Sequence, residues 1–251
     1  MNSQATIYKQ ILTNAENGKK SVAVLIDPDK HTTTELVDLI HSYEKLPFDY
    51  YFVGGSLLYT NRFESTVGLI KKHSSKPCVI FPGSFEQVSR SADAILLLSL
   101  ISGRNPEYLI GNHVLAAPKL KKSNLEVIST GYMLIESGKL TTASYVSNTI
   151  PIPYNKPEIA ATTAYAGYLI GMKAMYLDAG SGADFPVPPT IIKAVKNDVP
   201  LPLIVGGGIK SSEEIQNAFS AGADIVVIGN ALEENPQLLH ELTQKQGLNY
   251  A

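Results

Sequence analysis

Eight short runs of aliphatic and β-branched residues recur along the chain, most of them followed by a stretch of helical period. This alternation limits the possible folds more than any other feature. The runs are "SVAVLIDP", "YYFVGGS", "PCVIFPGS", "AILLLSL", "LEVISTGYMLIE", "AMYLDAG", "PLIVGGGI" and "DIVVIGN". Strands separated by helices pair in parallel, and eight such units in 251 residues predict a single (β/α)8 TIM barrel. A doubly wound open sheet is the runner-up, but it calls for GxGxxG after the first strand, and "LIDPDKHTT" contains no glycine. No Gly/Ser-rich or Pro-rich linker interrupts the pattern, so residues 1–251 are expected to form one domain. Two units are irregular. The helical piece "SFEQVSRS" after the third run is short, and the segment between the fifth and sixth runs carries three prolines before its helix starts. A weak or displaced helix at either place leaves a gap in the outer ring.

Charge narrows the partners. A net charge of -2 without any block of five like charges gives no general attraction to nucleic acid or anionic lipid. The one cysteine, Cys78, lies in an apolar run, has no disulfide partner within the chain and fits a reducing compartment. A cytoplasmic location is expected. The N-terminal segment lacks the apolar core of a signal peptide, and no apolar stretch approaches the roughly 18 residues of a membrane span, so membrane contact is at most peripheral.

Three glycine turns close the last three runs: "YLDAGSGA", "IVGGGIKSSEE" and "VVIGNALEENP". Barrels often bind phosphate at these positions, because turns without Cβ atoms let backbone N–H groups approach an anion. The second turn also leads into a helix whose N-terminal dipole favours negative charge. Gly180, Ser181, Gly182, Gly207, Gly208, Gly229 and Asn230 are the expected phosphate cradle. Glycines also make tight turns without any ligand, and three consecutive loops weigh against that plainer reading. Asp178 is the exception among these small residues. A carboxylate beside a phosphate repels it, so Asp178 is expected to accept hydrogen bonds from substrate hydroxyls or to take a proton, with an Asx-turn or a helix cap as the alternative.

The first run ends in "LIDPDK". Asp27 sits where a bare carboxylate is costly unless it meets a cation, and oxygen donors without nearby His or Cys suit Mg²⁺. Ser56, at the end of the second run, is its expected partner; an Asp-Pro turn and a helix cap are the alternatives for the two residues.

Read together, "LIDPDK", "FVGGS", "TGYMLIESG", "YLDAGSGA", "IVGGGIKS" and "IVVIGN" resemble the geranylgeranylglyceryl phosphate synthase family, which includes the bacterial heptaprenylglyceryl phosphate synthases. The resemblance spans nearly the whole chain and implies a TIM barrel with an irregular outer helix opening a groove for a polyprenyl tail. It implies a prenyl transfer: the C3 hydroxyl of sn-glycerol 1-phosphate attacks C1 of a polyprenyl diphosphate, an ether forms, and Mg²⁺ stabilises the departing diphosphate. Carried over by position, Asp27 and Ser56 hold the metal, while Tyr176, Leu177, Asp178, Ala179, Gly180, Ser181 and Gly182 join Gly207, Gly208, Gly229 and Asn230 around glycerol phosphate. Many relatives have Glu where this chain has Asp178, and one subgroup has Lys where it has Leu25, which aligns the chain with the second, longer subgroup. Tyr132 ends the fifth run on the matching side, where its ring can face an allylic cation or simply pack. "AYAGYLIGM" lines the groove or, for most of its residues, packs as core. An apolar groove makes a homo-oligomer the expected state.

Two other functions compete. A flavin- or sugar-phosphate-dependent barrel uses similar glycine loops and calls for a general base or a Schiff-base lysine, for which only Lys30 and Lys210 stand at strand ends. A non-catalytic phosphate-binding protein has no need of both Asp27 and Asp178.

Overall fold

The computed structural model describes residues 6–235 and 237–241. Strands β1 (Ser21–Ile26), β2 (Tyr50–Val53), β3 (Cys78–Ile80), β4 (Ala94–Leu100), β5 (Glu126–Leu134), β6 (Ala174–Asp178), β7 (Leu203–Gly206) and β8 (Ile225–Ile228) pair in parallel in chain order, and β8 closes on β1. All eight coincide with the apolar runs of the sequence.

Side-chain parity along these strands creates two cores. Ala23, Phe52, Val79, Leu96, Ile128, Tyr176, Ile204 and Val227 point into the barrel and pack on one another. Their neighbours Val24, Val53, Ile80, Leu177, Val205 and Val226 point outward against the helices. The strands are therefore apolar on both faces, which is why they read as continuous runs rather than as alternating ones. Cys78 belongs to the outer set, and burial pushes its thiol up to about 12, so it is an inert packing residue.

Helix α1 (Thr6–Glu16) precedes the barrel and closes its amino end, with Ile7 and Ile11 joining the inner core. Its first N–H groups need acceptors, and Glu126 at the start of β5 supplies them: the two carboxylate oxygens accept from Ile7 and Tyr8 at 2.9 and 2.8 Å. Glu126→Ala leaves these donors without partners and is expected to cost about 1–3 kcal/mol in thermal or urea unfolding. Unchanged stability would show that α1 does not need this anchor.

The outer ring contains α2 (Thr33–Tyr43), α3 (Phe63–His73), α4 (Asn112–Ser123), α5 (Thr142–Ser147), α6 (Pro157–Leu169), α7 (Pro189–Asp198), α8 (Ser212–Ala221) and α9 (Asn230–Glu234). A π-helical turn at Glu107–Gly111 leads into α4. The expected short helix at "SFEQVSRS" does not form, and β3 passes to β4 through turns. Gln87 explains the difference. It is buried, its Nε2 donates to the Gly55 carbonyl at 3.0 Å, and its Oε1 accepts from the Gly83 N–H at 3.1 Å. The segment is spent on tying two strand-end loops together, and the ring stays open beside β3 and β4.

In the prolyl segment, α6 buries only its small residues, Ala160, Ala161, Ala164 and Gly167, while Tyr165, Tyr168 and Leu169 face outward. Most of the bulk of "AYAGYLIGM" is thus outside the core, contrary to the expectation. Among the described residues no helix is long and apolar enough to cross a membrane.

Candidate active site

The carboxyl ends of the strands surround a polar cavity of about 1430 Å³, open mouth included. It brings together Asp27, Ser56, Tyr176, Asp178, Ser181, Gly182, Gly207, Gly208, Gly229 and Asn230. Four of the expected residues, Tyr132, Leu177, Ala179 and Gly180, do not line it. Leu177 and Ala179 have the opposite parity to Tyr176 and Asp178 and lie in the outer core, so their side chains cannot touch a ligand in the barrel.

Asp178 is buried at the end of β6. Its Oδ1 accepts from the Gly180 N–H at 2.7 Å, which is the Asx-turn considered as the plainer reading, and its Oδ2 accepts from the Tyr132 hydroxyl at 2.5 Å. The Gly180 amide is therefore committed to Asp178 and withdrawn from the anion cradle. Burial raises the carboxyl above its ordinary range despite these two hydrogen bonds. Burial and the neighbouring Asp178 charge also hold the Tyr132 and Tyr176 hydroxyls far above the usual phenol range, so both stay protonated. Each carboxylate oxygen keeps a lone pair beyond the bonds described, and Asp178 borders the polar cavity.

The glycine turns are shaped by packing as much as by any ligand. Gly207 has φ +82°, and a Cβ there would lie 2.5 Å from the Gly180 nitrogen and 2.7 Å from Asp178 Oδ1. Gly229 differs: a Cβ there meets nothing closer than 3.8 Å. The two positions separate folding from binding. Gly207→Ala is expected to lower thermal stability through these clashes, whereas Gly229→Ala meets no such atoms and is expected to weaken phosphate binding by narrowing the cavity. Calorimetry with sn-glycerol 1-phosphate on a stable Gly229→Ala protein checks this; unchanged affinity would move the phosphate away from β8.

The helix after the β7 turn does not serve as an open anion site. Ser211 Oγ accepts from the Glu214 N–H at 3.2 Å, and Glu214 Oε2 accepts from the Lys210 and Ser211 amides at 2.6 and 3.1 Å. A capping box closes the N-terminus of α8 on its own carboxylate, which leaves the preceding Gly207–Gly208 turn to face the cavity.

At the other side of the cavity, Asp27 Oδ1 accepts from the Asp29 N–H at 3.0 Å in an Asx-turn, and no ion pair reaches it among the described residues. Burial raises its carboxyl above the usual range. Ser56 caps no helix, because α3 begins only at Phe63 with Arg62 before it. Lys30 Nζ is held by Asn230 Oδ1 at 2.5 Å and by Glu233 at 3.3 Å, and Lys210 Nζ donates to the Asp184 carbonyl. Neither lysine stands free inside the barrel as a Schiff-base residue would.

A second, apolar cavity of about 840 Å³, open mouth included, occupies the gap left beside β3 and β4. Leu98 and Leu100 of β4, Tyr108, Ala116 of α4, Tyr132 and Val146 of α5 are among its walls. Tyr132 belongs to this cavity and touches the polar one only through Asp178. The two cavities meet at Gly55, Ser56 and Phe81. Sequence reasoning missed Phe81 and Gln87. The signal for Phe81 was parity, since it follows Val79 by two residues on the inward face.

A parallel barrel whose last three strands end in glycine turns around a polar cavity falls in the phosphate-binding class of this fold. The chain belongs to the PcrB family, which it matches over residues 16–246. It is 50% identical over 226 residues to a geranylgeranylglyceryl phosphate synthase of Spirosoma linguale, covering 90% of this chain and 91% of the relative. With the protein of the same description in Chitinophaga pinensis it shares 51% over 236 residues, 94% of each chain. Among solved structures, (S)-3-O-geranylgeranylglyceryl phosphate synthase from Thermoplasma acidophilum, in complex with its substrate sn-glycerol-1-phosphate, superposes with a TM-score of 0.88 at 30% identity. The match covers 95% of this chain and 97% of that one.

Proposed function

We propose that this protein joins a polyprenyl diphosphate to the C3 hydroxyl of sn-glycerol 1-phosphate, giving an ether and free diphosphate. The observation that carries the reading is the junction of a polar, glycine-lined cavity with an apolar one. Such a pair suits one small anionic alcohol and one substrate with a charged head and a hydrocarbon tail. Relatives matched over about nine-tenths of the chain bear the corresponding name, which does not favour a flavin or sugar-phosphate enzyme.

In this reading the Gly182, Gly207, Gly208 and Gly229 turns hold the phosphate, and Asp178 accepts the C2 and C3 hydroxyls. The C3 oxygen bonds to C1 of the prenyl chain, the C1–O bond breaks with its electron pair leaving on diphosphate, and the hydroxyl proton passes to Asp178. A raised carboxyl value suits a group that must take a proton. Tyr132 and the Gly180 N–H fix its orientation.

Asp27 and Ser56 fit Mg²⁺ by the chemistry of their donors: a half-buried carboxylate and a hydroxyl border the same cavity, and a Cβ on the intervening Gly55 would lie 3.6 Å from both Asp27 oxygens. Among the described residues no group of three His, Cys, Asp or Glu gathers there, so substrate oxygens and water would complete the shell. Bound there, the ion would supply positive charge to the departing diphosphate. The test is incubation with radiolabelled sn-glycerol 1-phosphate and prenyl diphosphates of several lengths. Label is expected to become extractable into organic solvent, and failure with every length would refute the reading.

A further inference from the structure

We propose that Phe81 is a catalytic residue of this reaction: the face of its ring stabilises the positive charge that develops on the allylic C1 carbon. The inference rests on the prenyl-transfer reading above. Among the described residues Gly55, Ser56 and Phe81 border both cavities, and of these Phe81 alone carries an apolar side chain. A prenyl diphosphate with its head in the polar cavity and its tail in the apolar one must pass C1 through this junction.

The ring is held in a defined orientation. Tyr176 stacks on it with centroids 4.8 Å apart and planes 10° from parallel, and Tyr132 meets it at 5.9 Å and 68°. Tyr132 and Tyr176 are themselves edge to face at 5.6 Å. Tyr176 borders the polar cavity, Tyr132 the apolar one, and Phe81 both, so the three rings form one aromatic group along the wall the cavities share. The backbone beneath Phe81 is equally constrained. Its N–H donates to the Val53 carbonyl at 2.9 Å, and its own carbonyl oxygen lies 1.9 Å from where a Cβ on Gly54 would stand. Only glycine permits that approach, and Gln87 clamps the same two loops from behind.

An aromatic quadrupole is negative at the face, and a ring facing a carbon that gains charge stabilises the transition state more than the neutral ground state. The charge arises as the C1–O electron pair leaves on diphosphate and disappears when the C3 oxygen bonds to C1 and its proton goes to Asp178. Phe81 forms no bond and exchanges no proton. Asp178 and Asp27 border only the polar cavity, so neither carboxylate reaches the apolar side of the junction, where Phe81 lies.

The test replaces Phe81 with phenylalanine analogues carrying one, two and three ring fluorines, which keep the shape and progressively weaken the face. The logarithm of the single-turnover rate is expected to fall in proportion to fluorination, by roughly thirtyfold in all, with unchanged affinity for sn-glycerol 1-phosphate. Phe81→Leu, which keeps an apolar side chain, should lose at least as much. A flat rate across the fluorinated series, in enzymes that form the ether, would overturn the role of Phe81. Absence of ether product from the unsubstituted protein would instead overturn the underlying reaction.

Discussion

Asp178→Ala is expected to lower turnover by about 10²–10⁴-fold and to blunt the choice between sn-glycerol 1-phosphate and sn-glycerol 3-phosphate. The carboxylate is fixed at both oxygens, by Tyr132 and by Gly180, so the hydroxyls it accepts must come to it in one geometry. The wrong enantiomer forgoes a hydrogen bond to a charged carboxylate, worth about 1.5–3 kcal/mol, which gives roughly ten- to hundredfold discrimination. Equal rates for the two enantiomers with the native enzyme would remove Asp178 from this role. The pH dependence carries a second signature. In the proposed role Asp178 takes the proton only when ionised, and burial raises its pKa, so activity should fall on the acid side at a pH above the ordinary carboxylate range near 3.9. Stability has the opposite slope. A carboxyl raised on folding contributes most at low pH, where it is protonated in both states, and that contribution is lost as pH rises through its folded value. Asp178→Asn should therefore gain stability relative to the native protein as pH rises from about 4 towards neutrality, while remaining inactive.

Asp27→Asn is expected to abolish Mg²⁺-dependent turnover in a protein that still folds. The substitution keeps an oxygen that can accept the Asp29 N–H and removes the carboxylate charge beside Gly55 at the junction. Charge stabilisation at a departing oxygen is worth several kcal/mol, so a loss of about 10²–10³-fold or more is expected. Near-native activity, with an unchanged dependence on added Mg²⁺, would place the ion elsewhere.

Much of this was legible in the sequence because the strands carry apolar residues on both faces, and the glycine turns follow the strands that end at one rim. Parity is legible in principle as well, and applying it to "YLDAG" separates Tyr176 and Asp178 from Leu177 and Ala179. The remainder depends on contacts between distant segments. The bond from Tyr132 to Asp178 spans 46 residues and exists because β5 and β6 register Leu134 against Asp178, placing Tyr132 within reach inside the barrel. The open ring beside β3 depends on Gln87 leaving a helical pattern to bridge Gly55 and Gly83, a choice made by two loops that sequence cannot bring together. The α8 terminus was misjudged for a local reason: the Ser211–Glu214 capping box, visible in "KSSEE", satisfies the amides that an anion would otherwise use.

In the proposed reaction the C3 oxygen meets C1 where the two cavities join. A crystal structure with sn-glycerol 1-phosphate and an unreactive thiodiphosphate analogue of a prenyl diphosphate tests it directly. The phosphate is expected at the Gly182, Gly207, Gly208 and Gly229 turns, the tail between α4 and α5, and C1 beside Phe81 at about 3–3.5 Å from the C3 oxygen. A tail lying outside the apolar cavity, or a C3 oxygen out of reach of Asp178, would contradict it.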